Sequence, residues 1–117
     1  MANYYYVKDD GTATGDAGRA VTTARTGSFA TMTASAYYPS IYGAINTPTN
    51  PPTSGDYILC SDLHSAATTF AGTIFIPAGV SVISVDDTAC DEYKPGATEH
   101  DTGTDNDYEL NDNVLIQ

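Results

Sequence analysis

The sequence predicts a mainly β fold of short strands and long loops, with at most one short helix near residues 28–38. Three observations predict it. Strong helix formers are sparse: Leu stands only at Leu59, Leu63, Leu110 and Leu115, and Lys and Arg together number 4. The aromatic content is 9 Tyr and 3 Phe with no Trp, and Thr, Val and Ile accompany it, all types that favour extended chain. Several segments are apolar on both faces, so each must be covered twice, as in a sandwich, a parallel sheet or a coil of stacked rungs.

Taken in order, Tyr4-Tyr5-Tyr6-Val7 is the first strand, closed by the turn signal Asp10-Gly11. Residues 11–27 contain Gly11, Gly15, Gly18 and Gly27 with little apolar content and read as a long loop. Between Ser28 and Tyr38, Phe29, Met32, Ala36 and Tyr37 approximate a helical stripe, and Pro39 restricts what precedes it. Residues 46–55 are a loop, because Pro48, Pro51 and Pro52 remove ladder donors. Tyr57-Ile58-Leu59-Cys60, Thr73-Ile74-Phe75-Ile76 and Val80–Val85 read as doubly apolar strands. In the last of these, Val80 and Val82 share one face and Ile83 and Val85 the other. Residues 86–107 read as a long acidic connection. The closing strand, Tyr108–Gln117, is interrupted by the turn-prone Asn111-Asp112-Asn113.

At 117 residues the chain is expected to be one domain. Its charge is uneven. Residues 1–55 balance Asp9, Asp10 and Asp16 against Lys8, Arg19 and Arg25, whereas residues 56–117 carry the whole net −11. The neutral half is expected to dock and the acidic half to face solvent. That balance disfavours nucleic acid and anionic membrane surfaces as partners. No apolar run approaches the ~20 residues of a membrane span, and the first residues do not read as a signal peptide.

Cys60, His64, Cys90 and His100 have the composition of a zinc site, but their spacing matches no compact ligand pair. A Cys60–Cys90 disulfide fits better, although a chain assembled in a reducing cytosol opposes it. Cys60 and His64 as nucleophile and base would need a third, orienting group and an oxyanion pocket that the sequence does not point to. Acids are so frequent after residue 56 that proximity between two of them says nothing of glycoside hydrolysis, and Asp56 and Asp62 read as turn caps. Asp101, Asp105, Asp107 and Glu109 are calcium candidates by clustering alone, since the segment lacks the Gly and closing Glu of an EF-hand loop. Tyr4, Tyr5, Tyr6, Tyr37, Tyr38 and Tyr42 suit a protein interface or a sugar-stacking platform, because tyrosine offers apolar area and a hydroxyl together. No catalytic residue, resident metal or cofactor is expected.

The run Tyr5-Tyr6-Val7-Lys8-Asp9-Asp10-Gly11 followed by Gly-, Asp- and Thr-rich chain resembles the start of right-handed parallel β-helix proteins of the pectate-lyase-like type. Ser54-Gly55-Asp56-Tyr57-Ile58-Leu59-Cys60-Ser61-Asp62-Leu63-His64 is similar to the step by which such chains enter their first coil. Gly72–Ile76 and Val80–Asp87 resemble the next rungs, and Ile83-Ser84-Val85-Asp86-Asp87 is the most specific piece. Sequences of this flavour are common among tailed-bacteriophage structural proteins, including tailspikes and capsid-surface proteins. The resemblance implies a β-sandwich-like or first-coils-of-β-helix fold, and a virion structural protein assembled in the host cytoplasm: a head-decoration protein or a spike or fibre base. It also implies other virion proteins as partners and a homo-oligomer, with a trimer favoured. The alternative it implies is the carbohydrate-binding N-terminal module of a depolymerase or adhesin. A stack of this kind buries its interior only with several coils, and 117 residues hold two or three, so a longer chain or covering partner chains are expected.

Overall fold

The computed structural model describes residues 2–22, 26–68, 76–101, 107–110 and 113–115, excluding the side chains of residues 66–68 and of those beyond Glu99. It is mainly β, as the composition predicts. The strands are β1 (Ala2–Val7), β2 (Arg19–Thr22), β3 (Tyr57–Ser61), β4 (Ser65–Thr68), β5 (Ser81–Asp86), β6 (Ala89–Tyr93), β7 (Ala97–Asp101), β8 (Asp107–Leu110) and β9 (Asn113–Leu115). A mixed sheet runs β2-β1-β3-β5-β6, with β9 also on β5, and a second sheet runs β4-β7-β8.

At the centre, β1, β3 and β5 are parallel and in register: Tyr5 stands beside Ile58, which stands beside Val82, and Tyr6, Leu59 and Ile83 line up likewise. β4 and β7 repeat the parallel relation in the second sheet, Ser65 opposite Thr98. The two charge halves therefore share one sheet, since β1 from the neutral half pairs directly with β3 from the acidic half.

Strand alternation sends the apolar side chains to two faces. Tyr5, Val7, Ile58, Cys60, Val80 and Val82 join an inner cluster with Tyr38, with Ile41 and Ala44, and with Ala97 of β7. Tyr4, Tyr6, Leu59, Ile83 and Val85 join an outer cluster with Phe29, Tyr37 and Cys90. The opposed faces predicted for Val80/Val82 and Ile83/Val85 are these two clusters. Among the described residues, the chain's own segments bury β1, β3 and β5 on both faces.

Four local readings are corrected. The expected helix region holds only a 3₁₀ turn at Ala34–Ala36, and the α-helix, α1, spans Ile41–Asn46. Pro39 ends the first segment, and Ser40 then caps α1 by accepting a bond from the Gly43 amide at 2.8 Å. Phe29, Met32 and Tyr37 still pack together, but from an irregular segment. Within residues 11–27, β2 pairs antiparallel with β1 after a turn through Gly15. The supposed connection at 86–107 contains β6, reached by the tight Asp87-Thr88 turn in which Thr88 bonds back to the Asp86 carboxylate, and then β7. The closing strand divides into β8 and β9, which join different sheets. Residues 73–75 of the predicted Thr73–Ile76 strand lie outside the described residues. The predicted 46–55 loop holds over residues 47–55, as the prolines require, while Asn46 closes α1.

Candidate functional site

The tyrosines were the leading interface candidates, and five of the six are core. Tyr4, Tyr5, Tyr6, Tyr37 and Tyr38 are buried, and only Tyr42 is exposed, at 38%. Three of their hydroxyls are satisfied because the rings reach the rim of the core, where loop carbonyls accept from them. Tyr5 donates to Asn50 O, Tyr6 to Thr26 O and Tyr38 to Gly15 O, each at 2.7 Å. Each phenol thus fills core volume and clips one loop to the sheet. Burial pushes the Tyr5 hydroxyl up to about 12, with the Asp56 charge adding to it, and burial does the same for Tyr6. The ring of Tyr4 stacks on that of Tyr57, its register neighbour, at 5.2 Å between centroids. Gly18 lies flat under the Tyr38 ring, where any Cβ would collide with it.

Cys60 and Cys90 form no disulfide: they are buried in opposite clusters, one inner and one outer, so the disulfide reading is corrected. Zinc by Cys60, His64 and Cys90 fails for the same reason: the sheet stands between the two sulfurs. Burial, and after it the Glu99 charge, pushes the Cys60 thiol well above its ordinary value, which opposes its use as a nucleophile. Among the described residues no cluster of three or more His, Cys, Asp or Glu side chains could hold a metal. Of the calcium candidates, Asp105 and the side chains of Asp101, Asp107 and Glu109 lie outside the described residues, as does the side chain of His100.

Two polar sites emerge that sequence reasoning missed. The first gathers at the carboxyl ends of the parallel strands. Lys8, just beyond β1, pairs with Asp87 at 2.9 Å, and the buried Ser61 of β3 donates to the same carboxylate. The Asp87 amide donates to Asp62 at 2.8 Å, and Lys94 lies 3.4 Å from Asp62 and 3.8 Å from Asp86. The bond to Asp87 holds the Lys8 ammonium above its ordinary range, and the hydroxyl and amide of Thr88 hold Asp86 below its own. This network ties the ends of β1, β3 and β5 together, and its lysines occupy its carboxylates.

The second site lies inside. Glu99 of β7 and His64, beside β4, meet at 2.9 Å with both side chains fully buried. The carboxylate also accepts from the amides of Ile41 at 2.6 Å and Tyr42 at 3.2 Å. Within Ala97–Asp101, alternation places Glu99 on the same side as the buried Ala97. A glutamate in an acidic stretch carries no sign of such burial, and the fold alone reveals it.

A third feature is a depression of about 300 Å³ lined by Tyr6, Gly18, Ala20, Gly27, Met32 and Ala36. Comparison of the chain with known protein families, curated proteins and solved structures finds no match.

Proposed function

We propose that this chain is a structural protein of a tailed-bacteriophage virion, a head-decoration protein or the base of a spike or fibre, acting through contacts with other virion proteins. The observation that supports this reading is the parallel, in-register stack of β1, β3 and β5 with β4 and β7 stacked beside it. The order β3-then-β4 on one level and β5-then-β7 on the next is how a coiled parallel β stack grows. Antiparallel β2 closes the edge of β1 at one end of that stack, and α1 packs against the inner cluster there. A closed end is what a terminal rung requires, because an open one would invite pairing with stray strands. The acidic half adds exposed Asp91 and Glu92 on β6, whose charge opposes nonspecific association at a particle surface.

The sugar-stacking platform suggested by the tyrosines is not carried forward, because five of the six are buried. The test is proteomic. Tailed particles, banded by density from a culture producing the chain, are digested with a protease cutting at Asp or Glu. Peptides of this chain are expected at a fixed copy number relative to the major capsid protein. Their confinement to the soluble host fraction, with none in banded particles, would exclude a virion role.

A further inference from the structure

β2 covers the edge of β1 and in doing so becomes an edge itself. We infer that the outer edge of β2 is the contact by which two copies of the chain pair, antiparallel and about a two-fold axis at Val21. The contact rests on that edge alone and does not depend on any virion role.

The ladder between β1 and β2 fixes which backbone groups of β2 are left over. The Tyr6 amide donates to Gly18 O at 3.0 Å, and the register carries that phase to Ala20 opposite Tyr4 and Thr22 opposite Ala2. The residues between them, Arg19 and Val21, turn their backbone groups away from β1. Asn3, opposite Val21, agrees with this phase, because its amide points the other way, to Asp56 at 3.0 Å. The Arg19 amide is taken by Asp16 O at 3.1 Å. The Val21 amide and carbonyl have no partner among the described residues, and the Val21 side chain is 53% exposed.

The two ends of this sheet are finished differently. β6, at the far end, meets β5 with a register irregularity and carries exposed Asp91 and Glu92. Bulges and charges of that kind keep an edge from recruiting strands. β2, Arg19-Ala20-Val21-Thr22, has no proline, no acid and a cation only at its first residue. On the outer face it borders the depression lined by Tyr6, Ala20 and Met32, so its cover is incomplete there.

Charge and symmetry together favour a second copy as the occupant. A chain of net −11 repels itself wherever its acids face. Along the sheet, four strand steps of about 4.8 Å put β6 roughly 19 Å from β2, beyond the ~10 Å screening length at about 0.1 M salt. Beside β2 the acids are matched, Asp16 by Arg19 and Asn50, and Asp56 by Asn3 and Thr53. A second copy turned about the axis at Val21 presents the same groups in reverse order. Each Val21 amide then donates to the other's carbonyl, Ala20 lies beside Thr22 of the second copy, and the two Val21 side chains cover each other. The two Arg19 cations fall four residues apart along the strands, roughly 14 Å, where salt screens them. A contact this small makes a weak, concentration-dependent pair.

Sedimentation equilibrium of the intact chain in about 0.1 M salt, from about 1 µM to about 1 mM, is expected to show the mass rising from one chain to two. Val21→Pro removes the outward amide and no bond to β1, whereas Val21→Lys keeps the amide and sets two cations at the axis. Each is expected to raise Kd at least about tenfold. In the wild-type chain, the Val21 amide is expected to gain at least about tenfold protection from hydrogen exchange over the same range, while that of Tyr4, inside the β1–β2 ladder, stays constant. A monomer throughout, which would leave the edge to a different chain, overturns the pairing. So does a trimer, a dimer that both Val21 variants leave intact, or Val21 protection that ignores concentration. The exchange measurement needs no variant, so it stands even where a variant does not fold.

Discussion

The two faces of the central sheet solve one problem with different materials. The inner face is mostly aliphatic and is covered by regular elements, α1 and β7, fastened through buried polar groups: Glu99 to the helix amides, and Ser84 to the Ala97 amide at 3.1 Å. The outer face is aromatic and is covered by the irregular segment 27–37 with β6, fastened by the Phe29 amide to Asp87 O at 2.8 Å and the Cys90 amide to Gly27 O at 3.0 Å. Phe29 meets both Tyr6 and Tyr37 edge-on, at 5.9 and 5.3 Å. A loop can cover a sheet where large rings span the gap and backbone bonds hold the loop, whereas small aliphatic side chains need a helix or a strand brought close. The contrast is one of side-chain reach.

This comparison is broken most severely at the inner face. Tyr38→Ala removes a fully buried ring together with its clip to Gly15 and is expected to cost about 4 kcal/mol in chemical denaturation. Phe29→Ala on the outer face should cost less, about 3 kcal/mol, because the irregular cover can settle into the space. Equal losses would show that the two covers are equally rigid.

Asp56 sharpens the picture at the edge, where its carboxylate gathers the amides of Asn3 at 3.0 Å and Thr53 at 2.9 Å. Asp56→Ala is expected to cost about 2 kcal/mol at neutral pH. Burial raises the Asp56 carboxyl, but the Thr53 and Asn3 bonds outweigh it and hold the group below its ordinary value. A folded value depressed in this way contributes stability above the unfolded carboxylate range, lost as pH falls through the folded value. The wild-type advantage over Asp56→Ala should therefore shrink on acidification. A constant difference down to the acid limb would show that the carboxylate is not the source.

Smaller still are the hydroxyl clips: Tyr5→Phe and Tyr6→Phe should each cost about 1 kcal/mol and act additively, since they fasten different loops on opposite faces. Leu63→Ala, at a position 61% exposed, should change stability by less than about 0.5 kcal/mol.

Strands β1, β3 and β5 were legible because their doubly apolar runs demand two covers whatever the topology. β2, β6 and β7 were not, because each mixes small and polar residues and becomes a strand only where a neighbour offers a ladder. β6 is the clear case: Cys90 alone is buried, between polar or half-exposed residues. The tyrosines misled for a related reason. Their number suggested a surface, and nothing local reveals that Asn50, Thr26 and Gly15 lie within reach of their hydroxyls.

Composition and alternation by themselves determined that this chain is mainly β, that its central strands are apolar on both faces, and that the proline-rich residues 47–55 form a loop. Those are short-range consequences of side-chain shape and backbone freedom. Tertiary structure alone decided what covers each face, that the two cysteines stand on opposite sides of the sheet, and that Glu99 meets His64 and the start of α1. Such pairings join residues tens of positions apart, and their stability arises from desolvation and bond geometry that exist only once the sheet has assembled.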